Sequence, residues 1–212
     1  MARILPPLVA LIVCAFHVTP AWPSSPGEDL RGHIEQLLSI VEDRAVTAEE
    51  RAVRAREAVG NIFDFANAAP RALGPHWLQL TASQRREATR LFSGFLTEAV
   101  VAHLSQAPRR FPSRMRERIA YGSESVSGDR ATVRVTLLRH QDVPVVADMV
   151  RRGTSWRVDD LWFDGVSVVD NYRSQLARLM REGTYEEMVE RVEAKWETLI
   201  DATETQHHTE QE

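Results

Sequence analysis

The apolar period of this chain switches from helical to alternating and back again, and that switch limits the fold more than any single motif. Between residues 82 and 104, Ala88, Leu91, Phe92, Phe95, Leu96, Ala99, Val100 and Leu104 recur at helical spacing. Alternation then takes over: Val133, Val135 and Leu137 share one strand face, and Val143, Val145, Ala147 and Met149 share the next. Turn signals at Ser127-Gly128-Asp129, Gln141-Asp142 and Arg152-Gly153-Thr154 separate four strands, the last running Trp156–Phe163. Consecutive strands joined by tight turns predict an antiparallel meander. Val168–Glu182 returns to helical spacing through Val169, Tyr172, Leu176 and Met180, with Gly183 as its stop. Thr184 and Glu187 then open a last helix bearing Met188, Val192, Trp196 and Leu199. Helices, sheet, helices: the order predicts an α+β domain with a helical layer on one face of a four-stranded antiparallel sheet.

The N-terminal half fits that frame. Ile34, Leu37, Leu38 and Val41 mark a helix from Asp29, and the Thr47–Glu50 capping box opens another. Its stripe runs Ala52, Ala55, Val59, Ile62, Phe63 and Ala66, and Pro70 with Leu73-Gly74-Pro75 predicts its end. A second capping box, Thr81 to Gln84, starts the helix of residues 82–104.

Residues 1–21 read as a cleaved signal peptide. Met1–Arg3 give a positive start, Ile4–Val18 an apolar run too short for a comfortable membrane span, and Thr19-Pro20-Ala21 a small-residue cut site. Periplasmic export is the expectation. Cleavage there removes Cys14, the only cysteine, along with Arg3. A thiol-free mature chain is compatible with an oxidising compartment. Residues 22–28 read as a polar linker, 29–200 as one domain, and 201–212, polar and without apolar period, as a disordered tail.

The formal net charge of −4 argues against nucleic acid as a partner, since backbone binding needs a dense positive surface. His207-His208 stand in that polar tail without further ligand types, so neither a metal nor a cofactor is expected.

One segment carries a family signature: Trp156-Arg-Val-Asp-Asp160, then Gly165-Val-Ser167, then Asn171-Tyr-Arg173 with Gln175. Asp64-Phe65, Leu73-Gly74, Trp77, Thr81 to Gln84, Phe92, Phe95, Val143-Pro144-Val145 and Gly183-Thr184 agree in order and spacing. Over about residues 30–200 the chain resembles the toluene-tolerance, or MlaC-type, family of periplasmic phospholipid-binding proteins. The resemblance implies a nuclear-transport-factor-like fold with an apolar cavity between helices and sheet. It also implies a carrier, not an enzyme, that shuttles phospholipid between an outer-membrane lipoprotein–porin complex and an inner-membrane ABC lipid transporter. His103, Ala147 and Leu176 stand where members often carry aromatic residues, so a wider cavity and a hopanoid ligand stay open.

The lipid-lining residues expected on that basis are Phe92, Phe95, Leu96, Val133, Val135, Leu137, Val145, Ala147, Met149, Trp156, Val158 and Tyr172. Pattern alone reads the same strand faces as ordinary core. Arg173 suits either an anionic headgroup or a pairing with Asp160 or Asp164. The run Arg109, Arg110, Arg114, Arg116 and Arg118 reads as a docking surface or a solvated face. The alternative function is an isomerase or dehydratase on the same fold, with Asp160 as a buried base near His103 and Tyr121.

Overall fold

Caps decide where most elements begin. In the computed structural model, which describes residues 24–105 and 115–209, Ser25 and Glu28 exchange side-chain and backbone hydrogen bonds to open α1, Pro26–Glu42. That helix starts earlier than the predicted Asp29, inside the stretch read as linker. Thr47 caps α2, Ala48–Ile62, by accepting from the Glu50 amide. The expected boxes at Thr81–Gln84 and Thr184–Glu187 both form, and they open α4, Ala82–Ser105, and α6, Tyr185–Thr209. Ser167 caps α5, Val168–Glu182. The last helix continues through Thr209, past the point where composition predicts disorder; extending a formed helix fixes only one residue per new hydrogen bond.

The stripe from Ala52 to Ala66 is two helices, not one. The chain breaks at Phe63–Asp64, where Phe63 bridges Val158 and the Asp64 amide donates to the Val158 carbonyl at 2.8 Å. Asp64 then caps α3, Phe65–Leu73. Pro70 lies inside α3 and does not end it; Gly74, at φ 54, does. A 3₁₀ turn, Gly74–Gln79, leads on to α4.

The sheet is an antiparallel meander of five strands: β1 Ile119–Ser127, β2 Arg130–Leu137, β3 Val143–Arg152, β4 Ser155–Phe163 and β5 Val166–Ser167. The additional strand comes from Asp164-Gly165, whose positive φ values of 50 and 79 make a tight hairpin. Pairings Val133–Ala147, Val135–Val145 and Met149–Val158 put the predicted apolar face in register. A bulge at Asp159 then places Asp160 opposite Asp148, out of the alternation with Trp156 and Val158 that the sequence predicts.

Helices α1 and α2 cover the apolar face. Leu30, Ala58 and Ile62 pack with Ala131, Val133, Val135, Val145, Ala147, Met149, Trp156 and Val158 in one buried cluster. Trp156 anchors α1: its amide donates to Asp29 Oδ2 at 2.6 Å, and its indole N–H donates to the Ser24 carbonyl at 3.2 Å. Helices α3 to α6 form a second apolar body beside this one. No helix among the described residues is long and apolar enough to cross a membrane.

Gly94 of α4 lies under the Trp196 ring of α6; a Cβ there would penetrate the ring's van der Waals envelope. Gly94→Ala gains helix propensity yet forces α6 outward, and such overpacking costs about 1–3 kcal/mol. A lowered urea midpoint with an unchanged denaturant slope is the expected result. An equal or higher midpoint would show that the ring yields freely.

Candidate functional site: a cavity between three helices

Helices α4, α5 and α6 do not close completely on one another. Between them lies a cavity of about 210 Å³. Ala88, Leu91, Phe92 and Phe95 of α4 form one wall. Tyr172, Leu176 and Leu179 of α5 and Met188 and Val192 of α6 form the others, with Leu73 at the end of α3. Tyr172 stands edge-on to Phe92 and Phe95, with centroids 6.1 and 5.4 Å away, so the three rings make a rigid corner. Burial raises the pKa of the Tyr172 hydroxyl above its ordinary value. Polar groups are few: Gln175, Arg178, Arg191 and Lys195.

This arrangement suits an apolar ligand. An apolar void of roughly 150 Å³ stays dry and takes up benzene, so a slightly larger one accommodates a short aliphatic segment. The sequence matches the family described as MlaC protein over residues 32–194. The chain belongs to the MlaC family. No curated protein matches it. Among solved structures, a phospholipid-binding protein from Ralstonia solanacearum, in complex with a phospholipid, is similar at a TM-score of 0.67 and 16% identity. The match covers 84% of this chain and 99% of that one, and it shows a shared fold.

Against this MlaC-family fold, the expected lining residues divide into three groups. Phe92, Phe95 and Tyr172 face the cavity. Leu96 lies one turn beyond Phe92 and packs with Ala68, Ala69, Ala72 and Val169. Val133, Val135, Leu137, Val145, Ala147, Met149, Trp156 and Val158 belong to the cluster under α1 and α2 and do not line the helical cavity. Side chains of α1 and α2 fill the space above the sheet, so the strand face is close-packed there. The small side chain of Ala147 is buried in that core and leaves the helical cavity unchanged, whereas Leu176 does border it.

Sequence reasoning missed Leu73, Ala88, Leu91, Leu179, Met188 and Val192 as lining residues. Their helical spacing was readable, but periodicity shows which face is buried, not whether three buried faces meet without a gap.

A separate polar cluster fixes the helical body to the sheet. Arg71 of α3 donates to Asp159 at 2.6 Å and to Asp160 at 3.0 Å. Asn67 and Arg130 also donate to Asp159, and Arg152 pairs with Asp64. Asp160 receives three further bonds, from Ser167 Oγ at 2.6 Å and from the amides of Leu161 and Val169. The partner of Asp160 is therefore Arg71, not Arg173, which lies 3.8 Å from Asp170 and passes over Gly74.

That saturation does not suit Asp160 as a catalytic base. Its oxygens accept four hydrogen bonds in a site only 1% exposed. Tyr121 lies on β1, three strands away and four residues along from Ser125, the β1 residue in line with Asp160, with the Arg31 guanidinium 4.0 Å from its ring centroid. Burial raises the Tyr121 pKa, and the nearby Arg31 charge partly opposes that rise. His103 is exposed near the end of α4. Within the basic run, Arg116 bonds Glu35 at 2.7 Å and also Glu42, both on α1, and these carboxylates raise its pKa. Arg109, Arg110 and Arg114 lie outside the described residues, as do residues 1–21.

Proposed function

We propose that this MlaC-family protein is a periplasmic carrier of phospholipid. A segment of acyl tail occupies the cavity between α4, α5 and α6. The carrying observation is that cavity: an apolar void with aromatic walls, edged by positive charge, in a fold shared with a phospholipid-binding protein. Each methylene withdrawn from water is worth roughly 0.8 kcal/mol, so a short segment already contributes several kcal/mol of affinity. A whole tail exceeds the present volume, and loading therefore widens the gap between the helices. On this reading residues 1–21 direct export, and the carrier exchanges lipid with an outer-membrane lipoprotein–porin complex and an inner-membrane ABC transporter.

Lipid extraction tests the proposal. The full chain is expressed with its leader in a Gram-negative host, purified from the periplasm, and its lipid identified by mass spectrometry. Near-stoichiometric phospholipid is expected; a hopanoid in its place would change the ligand class but keep the carrier. Protein that emerges empty and takes up no lipid from vesicles would overturn it.

A further inference from the structure

Every charged side chain that borders the cavity is a cation. Arg178 projects from α5, and Arg191 and Lys195 sit four residues apart on one face of α6. No carboxylate joins them in the lining, although the chain as a whole carries a net charge of −4. All three are exposed, so they mark the edge and not the floor. Lys195 Nζ lies 5.6 Å from the centroid of the Phe95 ring, directly beside an apolar wall. Arg191 lies 3.6 Å from Glu182, a surface pair weak enough to be exchanged for another anion.

From this placement we infer that the cavity selects phospholipids whose headgroup carries net negative charge, through Arg178, Arg191 and Lys195 at its mouth. The inference rests on the carrier reading above and adds the ligand's charge class. An apolar tail inside and three cations at the exit define an amphiphile with an anionic end. A zwitterionic headgroup brings its own ammonium to the same rim, and that charge is repelled. Exposed charge contacts are individually weak, so three acting together give roughly a five-fold preference.

The test uses the full chain and vesicles of phosphatidylglycerol and phosphatidylcholine, equimolar and with identical acyl chains. Lipid recovered from the re-purified protein is quantified by mass spectrometry. Parent protein is expected to carry about five times more phosphatidylglycerol than phosphatidylcholine, with the ratio shrinking at high salt. The triple variant Arg178→Gln, Arg191→Gln, Lys195→Gln is expected to carry the two lipids at the vesicle ratio. Arg178→Gln alone, on a different helix from the other two, lowers the ratio part-way and keeps the test open if the triple variant folds poorly. Parent protein loading both lipids equally, or a folded triple variant keeping the preference, overturns the inference and leaves the carrier reading intact. Parent protein that loads neither lipid overturns both.

Discussion

Replacing Arg71 by methionine is expected to lower the thermal midpoint by roughly 6–12 °C. The guanidinium divides its two donors between Asp159 and Asp160, which are 2% and 1% exposed. Methionine matches much of the stem but leaves two adjacent buried carboxylates without the cation they share. Removing one partner of a buried ion pair costs about 3–5 kcal/mol. The lower end applies here. Arg71 is itself 37% exposed, and Asp160 keeps Ser167 and two backbone amides while Asp159 keeps Asn67 and Arg130. For a chain of this size about 3 kcal/mol corresponds to that range of midpoint. Adding Asp159→Asn to the methionine variant should recover part of the loss, since it removes one of two adjacent buried like charges. A midpoint within 2 °C or so of the parent would show that the cluster contributes little and that α3 is held by its apolar face alone.

The Arg71 cluster also shows where the sequence stops being readable. Strand alternation placed Trp156 and Val158 correctly on the core face. It also predicted Asp160 beside them, and the bulge at Asp159 broke that count. A bulge adds a residue without changing composition, so a period-2 reading passes straight over it. The break at Phe63–Asp64 is similar: Ala52 to Ala66 keep one stripe, and the interruption arises from a backbone pairing with β4, far away in sequence. Local chemistry was more legible. Thr81 with Gln84 and Thr184 with Glu187 each announced a helix start in the residues themselves. Asp164-Gly165 carried an equally local hairpin signal, which the four-strand expectation did not use. The cavity lining divides along the same line. Phe92, Phe95 and Tyr172, where family motif and helical stripe coincide, were expected as lining and do border the cavity. Met188 and Val192 were visible as a buried face without any sign that the face borders a void.

Filling that void tests the carrier reading most directly. Ala88→Phe is expected to reduce bound lipid at least a hundred-fold while leaving the fold intact. Ala88 is buried on α4 and borders the cavity, so its Cβ is the natural stem for a ring. A cavity of roughly 150 Å³ holds benzene, so a phenyl group has room within about 210 Å³. The ring displaces about four methylenes of tail at roughly 0.8 kcal/mol each, a loss near 3 kcal/mol and more than two powers of ten in affinity. Stability should not fall with it. The weaker helix propensity of phenylalanine costs about half a kcal/mol, which apolar burial in a previously empty space offsets. Lost lipid with a held midpoint is a combination that core damage does not produce. Ala88→Leu, with less added volume, should give a smaller loss in the same direction. If Ala88→Phe folds and still copurifies with as much phospholipid as the parent, the lipid sits elsewhere. The close-packed face of Val133, Val135 and Val145 would then have to open to receive it.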